Sequence, residues 1–79
     1  MSTDQGHKTM ETKPAEKIRC GEVVHHQSKA IYVTLIYVTS VVVAGETRVL
    51  VTLGGYDPRS ITHYEQFQVY ANDLMVVET

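Results

Sequence analysis

The feature that most constrains the fold is an uncharged stretch, residues 30–45, composed almost entirely of Ile, Val, Leu, Tyr and Thr. β-Branched and aromatic residues favour extended strands. Because apolar side chains alternate onto both faces of such a strand, both faces must be kept from water. The stretch is shorter than the roughly 20 residues that a membrane-spanning helix needs. It therefore predicts one long strand, sheltered on both faces, in an all-β fold.

Turn-forming residues divide the rest of the folded part. Gly45 predicts a tight hairpin turn, and the glycine pair Gly54-Gly55 with Pro58 predicts the longest loop, since proline lacks a backbone donor. The long strand is expected to bend near residues 39–40. The predicted strands are residues 18–26, 31–43, 48–53, 63–70 and 74–78. This order is typical of small five-stranded SH3-like or OB-like barrels.

The N-terminal segment differs in composition from the rest. Residues 1–16 are polar apart from Met1 and Met10, so they predict a disordered tail ahead of a single β-barrel domain at residues 17–79. Cys20 is the chain's one cysteine, which excludes an internal disulfide and is typical of a reducing compartment. With no signal-peptide pattern at the start, we expect a cytoplasmic protein without a membrane partner.

The long strand carries more apolar surface than a thin core can cover. Period-two alternation puts one set of side chains on each face, namely Tyr32, Ile36, Val38 and Val42 against Ile31, Val33, Leu35, Val41 and Val43. We therefore expect a homodimer or higher oligomer in which one face packs between subunits. Burial of both faces inside one bent barrel is the alternative.

The fourth predicted strand suggests a binding surface. Phe67 and Val69 share one face, and Tyr64, Gln66, Gln68 and Tyr70 share the other. Such a face offers flat contact area and hydrogen-bonding groups at little entropic cost. The candidate binding residues are Tyr56, Arg59, Tyr64, Gln66, Gln68 and Tyr70. The alternative is that they are ordinary solvent-facing strand residues.

Motifs for catalysis or metal binding are missing from the sequence. His25 and His26 are adjacent, so a strand points them to opposite faces, and with Cys20 and His63 they lack zinc-site spacing. No nucleophile elbow or phosphate-binding loop is present. We expect no catalytic residue, no metal and no cofactor. An enzyme would need a concave pocket with a shifted titratable group, which we would look for around His63.

A nucleic-acid partner is the first alternative to a protein partner. Tyr56, Tyr64 and Tyr70 are spaced to stack bases on a small barrel. The net charge of −2 is spread along the chain, so no strongly basic groove is predicted.

A remote alternative is an enzyme. The segment Gln68-Val69-Tyr70 near the end of the chain resembles the Gln-Ile-Tyr strand of the type II dihydrofolate reductases, which are small SH3-like barrels assembled as tetramers around a central pore. The resemblance implies an NADPH-dependent reductase with Gln68 and Tyr70 lining that pore. The sequence departs from that family in having no tryptophan. The leading expectation is a non-enzymatic binding or regulatory module that acts through protein–protein contacts and self-association.

Overall fold

The computed structural model describes residues 9–78. Its elements are β1 (Met10–Pro14), a 3₁₀ turn (Ala15–Lys17), β2 (Val23–His26), β3 (Lys29–Val43), β4 (Glu46–Asp57), β5 (Ser60–Tyr70) and β6 (Leu74–Glu78). The strands form one antiparallel sheet in the order β1-β6-β2-β3-β4-β5. The all-β prediction is confirmed. No helix within residues 9–78 is long and apolar enough to cross a bilayer.

The sheet is open and has a strand more than expected, so the predicted closed, five-stranded barrel is not confirmed. The additional strand is β1, which pairs with β6 along its whole length. After it, the N–H groups of Ala15 and Glu16 donate to the carbonyls of Asp73 and Ala71, at 2.9 and 3.0 Å. Much of the predicted disordered tail is thus ordered by backbone pairing, which needs few apolar side chains. Residues 1–8 of that tail lie outside the described residues.

The sheet curls around one face, which we call the inner face. His26 on β2 and Phe67 on β5 stack with ring centroids 4.0 Å apart, although strands three positions apart in a flat sheet would be separated by about 14 Å. The core fills this concavity with Val24, Ile31, Val33, Val51, Leu53, Met75 and Val77, joined by Ala15 and Ile18 from the segment between β1 and β2. The opposite, convex side is the outer face.

Two glycines lie inside β4, so the predicted loop at Gly54-Gly55 is wrong. The turn is made instead by Pro58 and Arg59. The β3–β4 register shifts between Val33 and Leu35, which marks a β-bulge. A Cβ on Gly55 would overlap the backbone carbonyl of Tyr32. Glycine is needed here for close backbone approach rather than for a turn.

The bulge also changes which β3 side chains share a face. The irregularity of the β3–β4 ladder lies between Val33 and Leu35, and no register shift marks residues 39–40, where a bend was expected. Because the extra residue at the bulge reverses the alternation, Tyr32 joins Leu35 and Tyr37 on the outer face. Ile36 and Val38 lie on the inner face, opposite Leu53 and Val51 of β4. The faces assigned from strict alternation were therefore wrong beyond the bulge.

The β3–β4 hairpin projects beyond its neighbours. Strand β5 pairs with β4 only from Leu50 onward, and β2 pairs with β3 only as far as Tyr32. Residues 40–49 therefore form a two-stranded arm, at whose base the carbonyl of Val49 still accepts a hydrogen bond from the N–H of Ala71. The arm helps to draw the molecule out to 54 Å against 28 and 19 Å in the other directions. The arm ends in a two-residue turn with φ of 52° at Ala44 and 83° at Gly45, the combination that suits the twist of a hairpin.

The arm is apolar yet exposed in the single chain. Val42 is 72% exposed, and Val43 and Val49 are each 41% exposed. By contrast, Ile31 and Val33, nearer the start of the same strand, are buried. Near the start of the stretch the inner face is sheltered, at Ile31 and Val33, but Tyr32 on the outer face is 44% exposed. The expectation that both faces are sheltered is therefore wrong within one chain, most of all for the arm.

Candidate binding surface

All five tyrosines of the chain lie on the outer face of β3, β4 and β5. Register places them there, because residues directly opposite one another across a ladder share a face. The surface, which we call the tyrosine face, comprises Tyr32, Tyr37, Tyr56, Tyr64 and Tyr70. Tyr32, Tyr37 and Tyr64 are each nearly half exposed. The sheet thus concentrates on one side every tyrosine that the sequence spreads over three strands.

Three of the tyrosines form a row across the strands. Tyr32 lies opposite Tyr56, which lies opposite Tyr64. The rings of Tyr56 and Tyr64 meet edge to face with centroids 5.2 Å apart, a favourable aromatic geometry. An apolar groove of about 570 Å³ is lined by Tyr32 and Tyr56 of this row, together with Thr34, Asp57, Pro58 and Ile61. The row therefore offers a firm aromatic wall beside a concave surface.

A glycine in β4 makes room for the central part of the face. The hydroxyl of Tyr64 lies where a Cβ on Gly54 would be placed, so only glycine lets the ring lie flat across β4. That hydroxyl donates a 3.0 Å hydrogen bond to Oε1 of Gln66. Farther along, Nε2 of Gln68 donates to Oγ1 of Thr52 at 3.3 Å. The first bond links two side chains of β5, and the second links β5 to β4.

At the Tyr70 end of the tyrosine face, the side chain of Arg48 lies over an aromatic ring. The guanidinium of Arg48 lies 5.4 Å from the centroid of the Tyr70 ring, within cation–π range. Arg48 Nη2 is also 3.4 Å from Oε1 of Glu46. Tyr64 and Tyr70, both on β5, are about 20 Å apart along that strand.

Five of the six predicted binding residues lie together on this face. They are Tyr56, Tyr64, Gln66, Gln68 and Tyr70. Arg59 is apart from them, in the β4–β5 turn, with its side chain 90% exposed and its N–H donating to Oδ1 of Asp57 at 2.8 Å. Sequence reasoning missed Tyr32 and Tyr37, because the bulge that turns Tyr37 outward leaves no signal in the apolar pattern.

The region around His63 is a polar cavity of about 260 Å³. Nδ1 of His63 lies 3.1 Å from Oγ of Ser60 and 3.4 Å from Oγ1 of Thr62. Lys29 and Glu65, also at this cavity, form an ion pair of 2.9 Å between Nζ and Oε2. The imidazole is thus engaged with hydroxyls, and the nearby lysine and glutamate compensate each other.

His25 and His26 point to opposite faces of the sheet, as their adjacency in a strand predicts. Nε2 of His25 contacts Oε2 of Glu78 at 2.8 Å, while His26 points inward to stack on Phe67. Cys20 is exposed and free. Within the described range, no three His, Cys, Asp or Glu side chains are grouped closely enough to hold a metal ion.

No protein-family model matches the chain, and no curated protein or solved structure matches it either.

Proposed function

We propose that the protein is a non-enzymatic binding module that recognises a protein partner through the tyrosine face and also associates with itself. The single observation that carries the proposal is the placement of all five tyrosines on one face of the sheet. Tyrosine is enriched among the residues that dominate binding energy, because it buries a large rigid ring and still offers a hydroxyl. An exposed cluster of this kind is a candidate contact surface.

The surrounding polar groups fit a protein partner. Gln66 and Gln68 place amides that can donate and accept between the aromatic rings. Their present bonds are to the exposed hydroxyl of Tyr64 at 3.0 Å and to the buried hydroxyl of Thr52 at 3.3 Å. The exposed bond between Gln66 and Tyr64 is readily exchanged for a bond to a partner's backbone. The groove beside Pro58 and Ile61 would accept an apolar side chain of that partner.

Charge favours protein over nucleic acid as the partner. On the tyrosine face the cation is Arg48, already shared between Glu46 and the Tyr70 ring. Two lysines elsewhere, Lys13 and Lys29, form ion pairs with glutamates. A phosphate backbone is bound chiefly by uncompensated Lys and Arg. The described surface offers few of them beside the aromatic rings.

A nucleic-acid-binding role is the second candidate, and one observation favours it. The row of Tyr32, Tyr56 and Tyr64 resembles the aromatic platforms on which unpaired bases stack. Binding of this kind would weaken steeply with added salt. The order β6-β2-β3-β4-β5, a meander with the last strand added beside the first, supports an open SH3-like arrangement, and such folds serve both kinds of partner.

The test is a pull-down from source-cell lysate with the full chain immobilised, performed with and without nuclease. We expect a nuclease-resistant protein that is lost with the double variant Tyr32→Ala/Tyr64→Ala. Leu74→Ala is the matched control, because it also truncates an exposed apolar residue, 68% exposed, but on β6. Melting curves check that each variant is folded.

Two results would contradict the proposal. Release of the captured material by nuclease would assign the face to nucleic acid. Equal capture by the double variant and by Leu74→Ala would show that the tyrosine face is not the contact surface.

A further inference from the structure

One edge of β3 has no partner within the described chain. Its other edge is paired with β4 from Tyr32 to Val43, but on the free side β2 pairs with β3 only as far as Tyr32. Val33 is still bonded there, donating to the carbonyl of Glu22 and accepting from the N–H of Gly21. From Leu35 to Val43 no strand within residues 9–78 pairs with that side. We call these nine residues the free edge.

The direction of its peptide groups follows from a single hydrogen bond. The N–H of Ala71 donates to the carbonyl of Val49 at 2.9 Å, so the backbone groups of Val49 point toward the β5 side. In an antiparallel ladder the residue opposite must then point its own groups away as well. That residue is Ser40. By alternation, Val38 and Val42 also direct their N–H and C=O groups to the free side.

An edge of this kind is normally protected. Natural sheets place charges or proline on exposed edges, or keep such edges short. This edge has neither a charged residue nor a proline, and Val38 and Val42 are 57% and 72% exposed. Residues 40–43 of the free edge belong to the arm, and a two-stranded ribbon is only marginally stable in water by itself. The edge is therefore built to receive a strand.

We propose that a second copy of this chain occupies the edge, with the two β3 strands antiparallel about a two-fold axis that passes midway between the two copies of Thr39. The inference deepens the self-association part of the proposed function. Residues that pair across the two strands must point to the same face of the sheet. A two-fold axis perpendicular to the sheet keeps each residue on its own face, so the axis must lie between the two copies of one residue. Thr39 is the midpoint of the free edge, and this register alone uses all of it.

The pairs that this register creates are complementary. Leu35 would lie opposite Val43, Ile36 opposite Val42 and Tyr37 opposite Val41, each with the partner copy. Aromatic with β-branched and apolar with apolar are favourable cross-strand pairs. Because residues 30–45 are uncharged, no like charges face one another. Any strand of another protein would have to match the same pattern, whereas a second copy does so by symmetry.

The dimer would also correct the weakness of the arm. Each arm would pair through its β3 segment with residues 35–38 of the partner copy, so its two strands would join the partner's β3, β4 and β5 in one sheet. That number of strands exceeds the three that independent stability needs. The contact strip is about 30 Å long and about 10 Å thick, which places the interface among the small ones. We therefore expect a dimer that dissociates on dilution.

Disulfide trapping tests the register. At the two-fold position Thr39 would face its own copy as a non-hydrogen-bonded pair, with Cα atoms about 4.5 Å apart, within the range of a disulfide. In a Cys20→Ser background, Thr39→Cys should form a disulfide dimer under mild oxidation. Val41→Cys is the control, because it lies on the same face and strand but would be about 13 Å from its copy.

Sedimentation of the full chain gives a second readout. Val38→Lys should abolish the concentration-dependent dimer, since it puts two ammonium groups beside the axis. Val49→Lys introduces the same charge on the same face, one strand back from the edge, and should keep the dimer. A wild-type chain that stays monomeric, or cross-linking of Val41→Cys equal to that of Thr39→Cys, would overturn the proposal. Partner capture through the tyrosine face is measured separately, so either proposal can fail alone.

Discussion

The body of the sheet and its arm are built from the same residue types but have opposite fates. Val33 and Val51 in the body are 1% exposed, whereas Val42 in the arm is 72% exposed. Strand β4 has neighbours on both sides at Val51, but at Thr47, opposite Val42, it pairs only with β3. β-Branched composition thus specifies a strand without specifying a core. Burial is decided by whether other strands curl over the face.

The body and the arm differ in whether one chain can complete them. The body buries its inner face against β2, β6 and the 3₁₀ turn, so it is complete within one chain. The arm has no such cover among the described residues and carries residues 40–43 of the free edge. A body with its own buried core, joined to an edge with unpaired backbone groups, is suited to a subunit that folds alone and then pairs with a second copy.

Hydrogen exchange should show the largest difference between the two regions. Amides at residues 51–55 of β4, bonded within the body, should exchange only through global opening. The outward amides of Val38, Ser40 and Val42 should exchange on the order of 10³-fold faster or more in dilute protein. Raising the protein concentration should slow the edge amides alone if the second copy covers them. Equal protection of both regions at low concentration would erase the distinction.

Truncation of an apolar side chain should be costly in the body and nearly neutral in the arm. Leu53 is fully buried, so Leu53→Ala should lower the free energy of unfolding by about 2–5 kcal/mol through lost burial and a cavity. Val42→Ala should change the stability of the dilute chain by less than about 0.5 kcal/mol, as exposed sites do. Urea unfolding measures both, and similar losses would mean that the arm is buried in the monomer.

The next smaller loss of stability is expected when Gly55 or Gly45 is replaced by alanine, and the two losses should differ. Gly55→Ala puts a methyl group against the backbone of Tyr32 at the bulge, and we expect a loss of about 1–3 kcal/mol from overpacking. At the tip of the arm, Gly45 has positive φ but open space around it, so Gly45→Ala should cost about 1 kcal/mol from backbone strain alone. Thermal unfolding distinguishes them, and the reverse order would place the critical contact in the arm.

The smallest expected effect is a pH dependence confined to the body. Burial raises the pKa of Glu22, but the hydrogen bond from Lys13, the N–H of Arg19 and the positive charges outweigh it, so the net pKa lies below the ordinary 4.5. A lowered carboxyl pKa adds stability above the unfolded value, and that stability is lost as pH falls through the folded value. The contribution should be below about 1 kcal/mol, as for other accessible pairs.

Acid titrations of unfolding in wild type and Glu22→Gln measure it. The two stability curves should differ at neutral pH and converge as pH falls below 4.5, the ordinary value. Parallel curves across this range would show that Glu22 carries no linked proton. Val42→Ala should leave the pH profile unchanged.

Much of the strand pattern could be predicted from the sequence. Alternation and turn residues predicted the five strands that became β2 to β6, and the turn at Gly45 is where it was expected. Strand β1 was missed because its order comes from pairing with β6 and not from its own side chains. Gly54-Gly55 was misread as a loop, since glycine for close approach and glycine for a turn look alike in sequence.

The candidate surface was predicted in part. Alternation along β5 correctly put Tyr64, Gln66, Gln68 and Tyr70 on one face, and register added Tyr56 opposite Tyr64. Tyr32 and Tyr37 were not foreseen as members. They join because a bulge, a feature with no composition signal of its own, reverses the alternation of β3 between them and places both on the outer side.

The sequence by itself determined that this protein is made of strands and that its apolar surface exceeds what a small core uses, because side-chain branching and period-two alternation are local properties. Tertiary structure decided which strands are neighbours, where the ladder slips by a residue, and which valines are left in water. Those outcomes depend on contacts between distant segments, so no local pattern contains them.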